Sequence, residues 1–377
     1  MKINIKPQPN GSIIEEIKDL ELGNYTIFAG ENNSGKTNLI KAIESHEDLE
    51  AYTKIFIPAE HIQPQNEEAK NSTTTTAFYK LLKTILEPIF NKDLLKDLLN
   101  KFNGSKDKKD FVDNVNKILG DFGVKDKEFD VKISEDKFKE DLIIKIAKAF
   151  AKDLYKTNIN EVDFENIGMG AQRLIVAALI QYYQEKEIAK DEEVLIIFEE
   201  PEAYLHPKWK EGLYNSLLKL SRGEKTKVLI TTHDPYFIEL GKKQKIYRVY
   251  RNPEKKDATD VEDMSNKGLL PFKSDSEINY QIFDMPSKAY FIEIYDYSKH
   301  KAGYDFPKSY VEFDKHMFDT YFQSKGVGQN CKDDKGVPIM PITRLRHDIA
   351  HGKSIVAASK DIGKATEDVI SFLNQIK

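Results

Sequence analysis

Residues Gly30-Glu31-Asn32-Asn33-Ser34-Gly35-Lys36-Thr37 form a complete G-x-x-x-x-G-K-T run, and no other stretch constrains the fold of this chain as strongly. The apolar Tyr25 to Ala29 ahead of it reads as a strand, and Asn38 to Ile43 behind it has the spacing of an amphipathic helix. A strand that enters a glycine-rich turn and leaves as a helix aims several backbone N–H groups, and the positive end of the helix, at one point. That arrangement suits a phosphate. Gly30 and Gly35 bracket the turn and Asn33 and Ser34 lie within it. Lys36 is spaced to reach β- and γ-phosphates, and the Thr37 hydroxyl to bind Mg²⁺. The expectation is an α/β fold that holds a nucleoside triphosphate. No base-reading motif separates ATP from GTP.

The chain of 377 residues is long enough for two domains with ample cores. A net charge of −5 gives no global basic field for nucleic acid, although a local patch remains open. The one cysteine, Cys331, excludes an internal disulfide, and no Cys/His cluster has zinc-like spacing. No apolar run approaches the length of a membrane span. Met1 to Ile5 alternates like a strand and lacks a signal-peptide core. These features predict a soluble, cytoplasmic protein with no membrane partner.

Lys54 to Glu60 reads as a further strand. From about 67 to 122 the spacing turns helical, with Phe78, Leu81, Leu82, Ile85, Leu86, Ile89 and Phe90 on one stripe, and 141–160 reads as another helix. A helical insertion over about 67–160 is the expectation. Leu174 to Tyr183 is a strongly apolar helix. Val194 to Phe198 is a continuous apolar run, as at the centre of a parallel sheet. Trp209 to Leu220 is amphipathic, and Val228 to Thr232 is a second buried strand. After Lys245 to Tyr250 comes a polar stretch, Asn252 to Asp260. This places one domain over 1–265 and a smaller, mainly α-helical one over 266–377, closed by a helix from Asp361 to Ile376.

The strand at 194–198 runs into Glu199-Glu200-Pro201-Glu202. Acids at the carboxyl end of a buried strand stand where α/β sheets bind ligands. One carboxylate is needed to hold Mg²⁺ and one to polarise the attacking water. Glu199 is assigned to the metal and Glu200 to the water. His233 ends the strand at 228–232, where an imidazole can hydrogen-bond a γ-phosphate.

Together, the phosphate loop, Glu199-Glu200-Pro201-Glu202-Ala203-Tyr204-Leu205-His206-Pro207 and Thr232-His233-Asp234 resemble ABC-type ATPases. The nearest branch holds the overcoming-lysogenization-defect nucleases and the chromosome-maintenance and recombination ATPases. The resemblance covers roughly residues 1–265. It implies ATP as the nucleotide, and a signature motif at Gly168-Met169-Gly170-Ala171-Gln172-Arg173. Gly170 and Gln172 would there grip the γ-phosphate of ATP bound to a second copy. It further implies Leu205-His206-Pro207 at a dimer interface, and a head-to-tail homodimer closed by ATP and opened by hydrolysis. Gln63, after the strand at 54–58, is the candidate glutamine-loop residue near the metal. Three departures stand out. Glu199 occupies a position where most ABC proteins have Asp, the signature motif lacks its usual serine, and the glutamine loop is not clear. The insertion is also too short for a long coiled coil.

No Asp-x-Asp pair follows residue 265, which argues against a Toprim nuclease there. Arg344-Leu345-Arg346-His347-Asp348-Ile349-Ala350-His351-Gly352 instead holds an R-x4-H pair, Arg346 and His351. Five residues place them about 140° apart on an ideal helix, so convergence depends on a turn near Gly352. The stretch resembles the HEPN ribonucleases. That resemblance implies metal-independent RNA cleavage between two such domains. His351 would be the general acid or base, Arg346 would stabilise the phosphorane, and His347 would fill the polar position after the arginine. The whole chain then resembles the anticodon nucleases: an ATPase that gates an RNA-cleaving toxin or effector used against phage. Its expected partners are a second copy, contacted through both domains, higher oligomers left open, and an RNA substrate with tRNA among the candidates. A separate trigger or effector protein is also expected. The alternative is an ATPase sensor or DNA-repair-like clamp whose C-terminal module only binds a partner.

Overall fold

A computed structural model describes residues 1–8, 13, 15–59, 106–121, 158–159, 162–163, 169–185, 193–223, 225–240, 244–255, 257–304, 310–351 and 359–376. The chain opens with an antiparallel ribbon, β1 (Lys2–Ile5) on β2 (Ile17–Glu21). β3 (Tyr25–Ala29) is buried at every position and leads through the glycine-rich loop into α1 (Lys36–Glu44). Then come β4 (Thr53–Ile57), α2 (Lys106–Asp121), the two-residue strands β5 (Asn158–Ile159) and β6 (Val162–Asp163), and α3 (Met169–Glu185). β7 (Val194–Glu199), α4 (Pro207–Leu220), β8 (Thr226–Thr232), β9 (Lys245–Asn252) and β10 (Ala258–Asp263) follow. The remainder is mainly helical: α5 (Asp275–Phe283), α6 (Lys288–Lys301), α7 (Tyr310–Met317), the small hairpin β11 (Cys331–Lys332) and β12 (Pro338–Ile339), α8 (Pro341–Ala350) and α9 (Ser359–Ile376).

One sheet carries the nucleotide chemistry. Its strand order is β10-β9-β3-β8-β7-β4. The five strands from β9 to β4 run parallel and β10 is antiparallel at the edge. β7 is buried along its whole length, as its unbroken apolar sequence requires of a strand covered on both faces. Register brings the strand ends together: Ala29 pairs with Thr232, and Glu199 with Thr231. The loop after β3, the acids after β7 and the histidine after β8 therefore leave neighbouring strands on one edge. The architecture is an α/β P-loop NTPase with a helical C-terminal region.

The chain forms two compact units, Met1–Ile238 with Lys243–Ser265, and Glu239–Lys242 with Asn266–Lys377. The first packs Ile3, Leu20, Phe28, Leu39, Ile43 and Val249 into one core. The second is built on aromatics. Tyr295 meets Phe313 edge-on at 5.4 Å, Phe313 meets Phe372 at 5.8 Å, and the buried Tyr295 hydroxyl shares a 2.8 Å hydrogen bond with Thr343.

The polar stretch from Asn252 to Asp260 is not a simple linker. It contains the turn into β10, which pairs with β9 from Ala258↔Asn252 to Asp263↔Tyr247. An edge strand needs only one buried row and backbone pairing, so its acidic outer residues hide it from a search for apolar runs. The helical stripe from Phe78 to Phe90 lies outside the described residues. So does the helix expected over 141–160, except for 158–159, which form β5.

Candidate functional site

The turn from β3 into α1 requires glycine at two points. A Cβ on Gly30 would stand 2.1 Å from the carbonyl oxygen of Val249 in β9. One on Gly35, at φ +103°, would stand 2.1 Å from Oγ1 of Thr259 in β10. Asn33 also takes a left-handed φ of 65°. Its carbonyl accepts a 2.9 Å hydrogen bond from Nε of Arg251, which donates as well to the Asp257 carbonyl at 3.2 Å. The β9–β10 turn thus holds the tip of the loop. Gly35 is the N-cap of α1 and offers no side-chain cap, so the first N–H groups of that helix keep their capacity for a ligand. Ser34 Oγ is buried without a hydrogen-bond partner.

Lys36 folds back over this loop. Its Nζ donates to the carbonyls of Gly30 at 2.9 Å and Glu31 at 2.8 Å. Burial pulls the ammonium pKa below its ordinary value, opposed by the charges of Glu200, Glu202 and Glu31. A phosphate would offer this ammonium a stronger partner than two neutral carbonyls do.

Glu199 ends β7 and is 4% exposed. Its Oε2 accepts from the Ala59 N–H at 3.4 Å, while Oε1 is buried with no hydrogen-bond partner. Burial pushes its pKa up, opposed by the Thr37 hydroxyl, the Ala59 N–H and Lys41. An unfilled carboxylate oxygen beside a threonine hydroxyl is a donor set that fits Mg²⁺, which takes few protein ligands and keeps several waters. Among the described residues, no cluster of three or more His, Cys, Asp and Glu is poised for a metal.

Glu200 sits at a left-handed φ of 41°. Its N–H donates to the Thr231 carbonyl at 2.9 Å and to Thr231 Oγ1 at 3.2 Å. His233 Nδ1 lies 3.6 Å from Glu200 Oε1 and 3.5 Å from Glu202 Oε1. Glu202 is buried, accepts from Thr232 Oγ1 at 2.7 Å and from the His233 N–H at 3.0 Å, and is pushed up in pKa by its burial. The structure therefore gathers the loop, Lys36, Glu199, Glu200 and His233 at adjacent strand ends. It adds Glu202, a third acid of the same run that holds the backbone of His233.

α3 starts at Met169, within the expected signature motif. A Cβ on Gly170 would stand 2.3 Å from the Tyr204 carbonyl oxygen, so the helix start lies directly on the turn after Glu202. Gln172 is in α3, but its side chain is outside the described residues, as are Gly168 and Gln63. Sequence reasoning passed over Arg173. It is fully buried, and it donates to the carbonyls of Glu199 at 3.1 Å, Glu200 at 2.7 Å and Pro58 at 3.3 Å, and to that of Ala59. Its place in the signature text was the only available signal, because backbone carbonyls carry no residue identity.

In the C-terminal unit α8 runs without a break to Ala350, and His351 is its C-cap. Arg346 makes a bidentate pair with Asp296, Nε to Oδ1 at 3.1 Å and Nη2 to Oδ2 at 2.9 Å. It also donates to the Tyr310 hydroxyl and lies over that ring at 3.8 Å. The His351 ring lies 4.3 Å from that of His347, and His347 Nε2 is 3.0 Å from Asp334 Oδ2. The turn near Gly352 on which convergence of the R-x4-H pair depends lies outside the described residues; within them, Arg346 and His351 have separate partners.

A family model described as an AAA ATPase domain matches residues 45–238, just over half of the chain. The chain belongs to this AAA ATPase domain family. The glycine-rich loop lies ahead of the matched span, with the rest of α1 between them. A curated relative, the Old nuclease of Escherichia phage P2, is 29% identical over 202 residues, which cover 48% of this chain and 34% of that protein. The chain thus spans about a third of that relative's length. Solved structures similar to this AAA ATPase include an ATP-binding cassette of an ABC transporter, with a TM-score of 0.35 and 14% identity over 75% of this chain and 95% of that one. The RNase-L inhibitor is similar with a TM-score of 0.32 and 16% identity, over 66% and 36% respectively. Likenesses this weak carry no weight for function. No helix among the described residues of the AAA ATPase is long and apolar enough to cross a membrane.

Proposed function

We propose that this chain binds ATP with Mg²⁺ between two copies of itself, hydrolyses it, and uses that cycle to gate a C-terminal RNA endonuclease in the cytoplasm, as a toxin or anti-phage effector. The observation that carries the ATPase half is Lys36. It is buried and, among the described residues, held by two displaceable loop carbonyls, under an uncapped helix start and within the charge field of Glu200 and Glu202.

In this reading the loop amides and the start of α1 bind the phosphates, and Lys36 leaves the Gly30 and Glu31 carbonyls for phosphate oxygens. Thr37 and Glu199 would hold Mg²⁺, which when bound draws charge from the phosphate oxygens. Glu200 orients the attacking water and accepts its proton. His233, beside Glu200, hydrogen-bonds the γ-phosphate. Gly170 and Gln172 at the start of α3 close on ATP held by a second copy. The finer assignment in the C-terminal unit is that Arg346 stabilises charge on a scissile RNA phosphate while His351 moves the proton. The phage P2 relative carries the name of a nuclease. Here the local Arg-His-Asp-Ile-Ala-His-Gly text supports placing nuclease chemistry at Arg346 and His351.

One observation favours a second reading. The bidentate Asp296 pair already neutralises Arg346, as in a module that only binds a partner. RNA integrity, tRNA included, in cells expressing wild type or His351→Ala separates the two. Loss of specific RNAs with wild type alone is expected, with ATP hydrolysis equal in both purified proteins. Intact RNA in both, during phage infection as well, would refute the nuclease and leave the ATPase with a binding module.

A further inference from the structure

Arg173 is among the largest fully buried side chains of the chain, yet its hydrogen bonds go to main-chain carbonyls rather than to a carboxylate. Its Nε is buried without a partner, and its guanidinium stands 5.7 Å from the Phe198 ring centroid. Burying a cation is costly unless it is hydrogen-bonded and near opposite charge, and here the four carbonyls and the charges of Glu202, Glu200 and Glu199 offset that cost. The carbonyls it gathers belong to Glu199 and Glu200 at the exit of β7, and to Pro58 and Ala59 at the exit of the neighbouring β4. Glu200 is the residue that needs holding. Its φ of 41° is a conformation that residues other than glycine keep only where the surroundings over-determine it. Thr231 fixes the peptide group on its N–H side and Arg173 fixes the one on its carbonyl side. Between them they set the direction in which the Glu200 carboxylate leaves the backbone, 3.6 Å from His233.

Arg173 also lies one turn along α3 from Gly170, whose backbone rests against Tyr204. We propose that Arg173 is a positioning residue that ties the first turn of α3 to the orientation of Glu200, so that the start of α3 and the hydrolytic acid move together. This rests on the reading above, in which the start of α3 meets ATP bound to a second copy. ATP on one copy then aligns Glu200 of the other through Arg173, and hydrolysis becomes cooperative in ATP.

The test uses the full-length protein, with ATP affinity and steady-state hydrolysis measured over a range of ATP for wild type, Arg173→Met, Arg173→Lys, Glu200→Gln and the double variant Arg173→Met/Glu200→Gln. Arg173→Met should lose about 10- to 100-fold in kcat, the scale of a small misplacement of a catalytic group. Its ATP Kd should stay within about threefold of wild type, and its Hill coefficient should fall toward one. Arg173→Lys should be intermediate, because it restores the charge but reaches fewer of the carbonyls. The double variant should be no slower than Glu200→Gln alone, because both changes disable one group. Wild-type kcat in Arg173→Met would overturn the proposal. So would losses that multiply in the double variant, or affinity that falls in step with kcat. If Arg173→Met does not fold, Arg173→Lys decides: an unchanged kcat and Hill coefficient overturns the proposal. A wild type that neither binds nor hydrolyses ATP would sink the functional reading beneath it, a failure visible without any Arg173 variant.

Discussion

Lys36 and Arg346 are both sheltered cations within short motifs, and the chain satisfies them in opposite ways. Lys36 holds two neutral carbonyls of its own loop, and among the described residues Ser34 Oγ in that loop and Glu199 Oε1 and Glu202 Oε2 at the exit of β7 are buried without hydrogen-bond partners. Arg346 holds both oxygens of Asp296 and the hydroxyl and face of Tyr310, while its neighbour Arg344 pairs with Asp334 and Asp348. Buried polar groups are usually paired, so a cluster of exceptions at one strand edge marks bonding capacity held for a ligand. Arg346 itself is committed to both oxygens of Asp296 and would exchange that carboxylate before taking a phosphate. Under the proposed function, the first site receives its ligand directly and the second only after Asp296 is displaced.

The largest effect expected from this contrast is Lys36→Ala. The carbonyls it frees can turn to water, so the fold should survive with little change in Tm, while ATP binding measured by calorimetry disappears and hydrolysis with it. A variant that still binds ATP normally would break the comparison, since Lys36 would then be merely a structural strap. Next is Glu200→Gln, which keeps shape and backbone but cannot accept a proton. Hydrolysis should fall by about 10²- to 10⁴-fold with ATP affinity retained. Equal losses in binding and turnover would instead mean that Glu200 serves the loop rather than the water.

On the closed side, Asp296→Ala leaves Arg346 with Tyr310 alone. Charged hydrogen bonds are worth more than neutral ones, but the Asp296 side chain is 40% exposed, so the expected loss is only about 1 kcal/mol in chemical denaturation. ATP binding should not change. No loss of stability would show that Arg346 is not held as firmly as its partners suggest, and would narrow the distance between the two sites.

The same contrast explains what the sequence made legible. Gly35 is demanded by its own positive φ, and Gly30 by the close approach of β9, but their spacing in the sequence already announces the loop. Glu199 and Glu200 are legible because an apolar strand ends on them. Arg173 was not, since its carbonyl partners lie 26, 27, 114 and 115 residues away and any residue could supply them. The true surroundings of Arg346 were hidden for a related reason. Asp296 and Tyr310 stand 50 and 36 residues from it on other helices, and nothing in an R-x4-H spacing names them. β10 was missed because an edge strand can be polar along its outer row.

The expected effect furthest from nucleotide chemistry lies deep in the C-terminal unit, at Glu277. Its carboxyl is buried, and its Oε1 accepts from the N–H groups of Leu269 at 2.7 Å and Leu270 at 3.3 Å, from Gln281 at 3.1 Å and from the Tyr290 hydroxyl at 3.4 Å. Burial raises its pKa above the ordinary glutamate value despite those hydrogen bonds. A carboxyl whose pKa rises on folding favours the native state in its protonated form. That contribution is complete below the unfolded pKa, about 4.5, and drains away as the pH rises through the folded one. The total lost is about 1.4 kcal/mol for each pH unit that separates the two values. Glu277→Gln keeps an oxygen to accept the same donors and removes the proton. Wild type and variant should therefore have similar Tm near pH 4, and the variant should gain on wild type as the pH climbs to 7. Parallel curves across that range would mean that Glu277 titrates as it does in the unfolded chain. ATP affinity should be the same in both proteins, because the hydrogen-bond donors to Glu277 all belong to its own unit.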